Sequence, residues 1–125
     1  MPLAYWCVLV AALLPIFWAG YAKAGGRVDN HCPRESIDSL PPLYRRAYAA
    51  HTNAYENFPF FAAAVIIAVT QGAPLATINT FAAVYLVLRV VHGILYVGNL
   101  STARSIVYGL ALLANIAIFV LPAFG

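Results

Sequence analysis

Stretches of about 20 apolar residues, the length that crosses a hydrocarbon core of roughly 30 Å, recur four times along the chain with short polar breaks between them. The first runs over residues 2–22 and holds no charge. The second begins near Tyr44 and ends at Thr70, where Gln71-Gly72-Ala73-Pro74 brings the glycine and proline that stop a helix. The third covers residues 75–98, and the fourth residues 101–122, with the Ser101 hydroxyl placed to cap it. These segments are too long for membrane strands of about 9 to 11 residues. Backbone groups in lipid need partners within their own segment, so all four read as helices. The pattern predicts an all-α integral membrane protein, a four-transmembrane-helix bundle forming one domain over residues 1–125. Its one long polar loop, residues 23–43, is rich in Gly, Asp, Asn, Ser and Pro.

Composition agrees. Hydrophobic residues make up 63% of the 125 and charged residues only 9%, against about 25% charged in a soluble domain. A water-soluble sphere of this size cannot hide so much apolar surface. Ala22-Lys23-Ala24 has the look of a signal cleavage site, but the start lacks a basic region and the apolar run is too long, so it reads as a span. Seven Lys and Arg against four Asp and Glu is too slight an excess to point to nucleic acid. Cys7 and Cys32 form no disulfide framework, and no Cys/His set has metal-ligand spacing.

Charge sets the expected orientation. Lys23, Arg27, Arg34, Arg45 and Arg46 lie between spans one and two, and Arg104 follows the third connection, whereas the second connection and both ends carry none. Loops one and three share a side, so that side is expected to be cytoplasmic, with both termini outside.

Ionisable groups inside spans cost about 2.5 to 3.5 kcal/mol at a helix centre and mark bundle interiors or function. At 100° per residue, Arg46, Asn53 and Asn57 fall within about 40° of one another, with Glu56 about 60° further round and His51 on another face. Arg89, His92 and Tyr96 form a second stripe with Tyr85 one turn deeper, and Arg104, Tyr108 and Asn115 share a face beside Ser105. A structural account is open for each. Glu56 and Arg89 can neutralise each other as a buried pair completed by Asn53 and His92. Tyr96 and Tyr108 can be interfacial belt residues, Arg104 a topology anchor, and His51 a packing residue. A proton or ion pathway through Glu56 and His92 is a further reading, but no polar stripe extends through the outer half of the bilayer. The stripes all lie toward the cytoplasmic ends of spans two to four, where together they line a basic pocket suited to a zwitterion with carboxylates and an amine, such as a thiol tripeptide.

Arg46-Ala-Tyr-Ala-Ala-His51-Thr-Asn53-Ala-Tyr-Glu56-Asn57-Phe-Pro59-Phe60 resembles the second-helix signature of the MAPEG family, the membrane-associated proteins in eicosanoid and glutathione metabolism. Arg89-Val-Val-His92, Tyr96-Val-Gly98, Arg104-Ser105 and Tyr108 are similar to the third and fourth helices of its microsomal glutathione S-transferase and prostaglandin E synthase branch. Asp29-Asn30 followed by Pro33-Arg34 resembles bacterial members.

The resemblance implies a homotrimer with glutathione as co-substrate, no metal, and a bacterial inner membrane location. It implies Arg104 as the thiolate-holding residue with Ser105 as rival thiol partner. Arg46, Asn53, Glu56, Arg89, His92, Tyr96 and Tyr108 would bind glutathione, Glu56 taking its amino group. The implied activity is transfer of glutathione to a hydrophobic electrophile, with reduction of a lipid hydroperoxide as a companion. The alternative is a noncatalytic lipid- or glutathione-binding scaffold on the same fold. Two departures stand out: Ala49 and Thr52 occupy positions where relatives often carry arginines, and the stretch from Tyr96 to Arg104 is one residue shorter than in the prostaglandin synthase.

Overall fold

The computed structural model describes residues 1–25 and 40–124. Arg27, Asp29, Asn30, Cys32, Pro33 and Arg34, which entered the expectations above, lie outside the described residues. Four helices make up the fold: α1 (Leu3–Lys23), α2 (Pro42–Thr70), α3 (Leu75–Val97) and α4 (Ser101–Phe124). Pro42 starts α2 two residues before the expected Tyr44, since a proline at the first helical position already has the right φ and lacks an N–H that would go unpaired. Ser101 is not a cap but the first residue of α4, and Leu100 accepts from the Arg104 amide at 2.9 Å. α4 also continues past Pro122 to Phe124 instead of ending there.

Of the four, α1, α3 and α4 are long and apolar enough to cross a membrane. The second helix has the length, 29 residues, but its first half carries Arg45, Arg46, His51, Asn53, Glu56 and Asn57, and this departs from four equally apolar spans.

Two tight connections set the helices antiparallel in sequence. After α2, the Gly72 amide donates to Val69 O and the Ala73 amide to Ala68 O at 3.1 Å each, a closure that needs a left-handed residue, met by Gly72 at φ 79°. The same closure follows α3, with Asn99 to Tyr96 O and Leu100 to Leu95 O, but here the left-handed residue is Asn99 at φ 60° rather than neighbouring Gly98. α1 and α3 run parallel: the Ala4 amide, free at the start of α1, donates to Asn79 Oδ1 at 3.0 Å.

Packing follows from small residues. The buried face of α2 is Ala47, Ala50, Ala54, Phe61, Ala64, Val65 and Ala68, and half-buried Asn57 fills the remaining three-four step between Ala54 and Phe61. That spacing is the seam of near-parallel helices. In lipid no hydrophobic force separates helix from solvent, so close approach over alanines supplies the van der Waals attraction. α3 presents Ile78, Ala82, Tyr85, Arg89 and His92 in the same rhythm. One seam is therefore apolar toward the α2–α3 turn, where Phe61 stacks on Tyr85 at 4.1 Å, and polar toward the opposite end.

Candidate functional site

The polar half of the bundle lies where α1 and α3 end and α2 and α4 begin. Arg46 Nε donates to the Val97 carbonyl at 3.0 Å, satisfying an acceptor that the end of α3 leaves without a helical partner. Arg45, about 100° round the helix, is exposed and lines an outer hollow instead. His51 pairs through Nδ1 with the Pro15 carbonyl of α1 at 2.8 Å, with the Tyr48 and Tyr55 rings on either side. It ties α1 to α2 and lies away from the polar stripes.

Six side chains from α2, α3 and α4 surround one cavity of about 290 Å³: Asn53, His92, Tyr96, Arg104, Ser105 and Tyr108. The short α3–α4 connection places the Arg104 guanidinium 4.2 Å above the Tyr96 ring, a cation–π stack that holds its plane while leaving its edge to donate. His92 is buried, with the Tyr96 and Tyr108 rings each 5.8 Å away. A second hollow of about 410 Å³ shares Asn53 and Tyr96 and is completed by Arg45, Tyr48, Ala49, Thr52 and Glu56. Sharing Asn53 and Tyr96, the hollows are treated as an inner and an outer lobe of one candidate site.

Beneath the inner lobe runs a hydrogen-bonded chain. Arg89 Nη2 donates to Asn53 Oδ1 at 2.6 Å, Asn57 Nδ2 to the Asn53 carbonyl at 2.8 Å, and the Tyr108 hydroxyl to Asn57 Oδ1 at 3.2 Å. Tyr85 lies below, its hydroxyl 3.5 Å from the Asn57 carbonyl.

Of the residues singled out from the sequence, Asn53, His92, Tyr96, Arg104, Ser105 and Tyr108 share the inner lobe, and Glu56 joins Asn53 and Tyr96 in the outer one. Arg46 and Arg89 line neither lobe. The buried Glu56–Arg89 pair does not form: Glu56 is exposed, whereas Arg89 is 4% exposed and bound to Asn53. Asn115 is buried two turns below Tyr108, away from the cavity, and its Oδ1 has no partner among the described residues. Arg45, noted only for its charge, and Tyr48 are the outer-hollow residues the helical-wheel argument passed over. In the helical pattern their only signal is position, Arg45 one residue from Arg46 and Tyr48 one turn before Thr52. No group of His, Cys, Asp and Glu suited to a metal ion occurs among the described residues.

Compared with known proteins, residues 3–124 match the family model described as MAPEG family. No curated protein and no solved structure matches the chain.

Proposed function

The chain belongs to the MAPEG family, and from that premise we propose that it is a membrane glutathione transferase that binds glutathione in the two-lobed site and transfers it to lipophilic electrophiles. The observation that carries the reading is the gathering of Asn53, His92, Tyr96, Arg104, Ser105 and Tyr108 from three helices around one cavity, with the Arg104 guanidinium stacked at its wall. Glu56 in the outer lobe supplies a carboxylate for the tripeptide's ammonium.

A thiol with pKa near 8.5 is only a few per cent ionised at neutral pH, yet the thiolate is the nucleophile. Arg104 cannot lose its own proton and favours the sulfur anion in a partly desolvated site, with Ser105 beside it as a further donor. The thiol proton leaves to solvent. The sulfur then forms its bond to the electrophilic carbon as the leaving group departs with its electron pair. The same thiolate can attack the terminal oxygen of a lipid hydroperoxide, breaking the O–O bond and releasing the lipid alcohol with a proton from solvent; a second glutathione thiol then attacks the sulfenic sulfur, forming the disulfide and releasing water. Residence in the bilayer concentrates either lipophilic substrate.

The basic residues support a cytoplasmic site. Among the described residues, Lys23, Arg45, Arg46 and Arg104 cluster at the site end, and the opposite end has none. In this reading α2 crosses with its three apolar neighbours, and the membrane is a bacterial inner membrane. A homotrimer completes the picture, a neighbouring subunit closing the open outer lobe.

One observation favours a noncatalytic glutathione-binding scaffold: Ala49 and Thr52 line the outer lobe where relatives often carry arginines. Calorimetry of glutathione binding to the purified protein, followed by turnover of a chlorinated nitroaromatic, separates the readings. Binding with turnover is the expected result; binding without turnover selects the scaffold, and no binding defeats both.

A further inference from the structure

The chain of side chains behind the cavity has only one consistent hydrogen-bond polarity. A backbone carbonyl can only accept and a guanidinium can only donate. Asn57 Nδ2 lies 2.8 Å from the Asn53 carbonyl, so its amide nitrogen must face that carbonyl and its Oδ1 must face Tyr108, whose hydroxyl donates to it at 3.2 Å. At the other end, Arg89 Nη2 is 2.6 Å from the Asn53 side chain, so the atom it meets must be Oδ1. Both bonds that the Asn53 side chain makes among the described residues fall on Oδ1, one from Arg89 and a longer one from Asn57 at 3.4 Å. Neither amide can turn over without setting donor against donor or acceptor against acceptor.

Arg89 has no other assigned task. It is 4% exposed and lines neither lobe of the site. Glu56 is the only acidic residue outside 26–39, and it is exposed rather than paired with Arg89. A buried guanidinium is costly to keep, and here its hydrogen bond goes to one neutral amide that borders both lobes, with the Tyr108 ring 6.0 Å from its Cζ.

We propose that Arg89 is a positioning residue: by holding Asn53 Oδ1 it turns the Asn53 amide nitrogen into the cavity as a fixed donor to an acceptor atom of the bound ligand. The same chain commits the Tyr108 proton to Asn57, so Tyr108 meets the ligand with lone pairs only and accepts from an ammonium or a thiol. Within the cavity the chain thus fixes a donor at Asn53 and an acceptor at Tyr108, beside the Arg104 guanidinium, which can only donate. This rests on the glutathione reading for the identity of the ligand, though not for the polarity itself.

Asn53→Asp is the discriminating variant. The introduced carboxylate still accepts from Arg89, now as an ion pair, but it has no N–H to offer. The thermal midpoint in detergent is expected to hold or rise while glutathione affinity falls about ten- to hundredfold, the loss of one hydrogen bond to a charged group. Arg89→Met is expected to weaken binding as well, and Arg89→Lys, which keeps a donor, to retain more affinity than Arg89→Met. Wild-type affinity in Asn53→Asp, or an Arg89→Met protein that loses stability but binds normally, overturns the proposal. If the wild-type protein binds no glutathione, the functional reading falls by itself and the polarity is judged by nuclear magnetic resonance of the side-chain amides. Faster exchange with water at Asn53 than at Asn57 upholds it, and equal protection at the two overturns it.

Discussion

Arg104 shows how much can depend on one side chain's surroundings. Its guanidinium sits over the Tyr96 ring, half-buried, at the wall of the inner lobe, so its charge is near the cavity yet not neutralised by a carboxylate among the described residues. Arg104→Ala is expected to abolish the thiolate ultraviolet absorbance that wild-type protein develops with glutathione, with assembly intact; undiminished absorbance removes Arg104 from the chemistry. The candidacy of Arg104, Tyr96 and Asn53 was legible from spacing, because residues three, four and seven apart share a helix face. The fates of Arg45 and Arg46 were not. Adjacent residues differ by about 100°, and only the position of the Val97 carbonyl on another helix selects Arg46 for capture and leaves Arg45 at the site.

At the level of the helices, the bundle depends on close approach, and Gly93 of α3 packs directly against Trp18 of α1. A Cβ at Gly93 would run into the indole of Trp18, which is 6% exposed. Gly93→Ala is expected to cost about 1–3 kcal/mol through overpacking, read as a lower thermal midpoint in detergent, and Trp18→Leu in the same protein is expected to restore most of it. A midpoint unchanged by Gly93→Ala argues against this contact. Because Gly93 follows His92 directly, the same contact fixes the register of α3 that carries the His92 ring between Tyr96 and Tyr108. Helix existence was plain from apolar run length, and the ends fell within two residues of expectation. The polar half of α2 and the left-handed Asn99 were less so: asparagine is a weaker signal than glycine for that backbone, and the neighbouring Gly98 draws attention first.

Across the whole molecule, the site is open on one flank. Arg45, Thr52 and Glu56 are exposed where they line the outer lobe, and a charged side chain within the membrane is expected to meet protein or water rather than lipid. Native mass spectrometry in detergent is accordingly expected to show three subunits, and a monomer contradicts the closing of the lobe by a neighbour. The sequence alone determined that the chain is a membrane protein built of four helices, and which residues share a helix face, since apolar run length and the 3.6-residue period are properties of the chain itself. The tertiary structure decided partnership: Arg89 with Asn53 rather than Glu56, Arg46 with the end of α3, His51 with Pro15. Such pairings are settled by the distance and register between helices, and those arise from how alanine and glycine surfaces fit against their neighbours, which no spacing along one helix records.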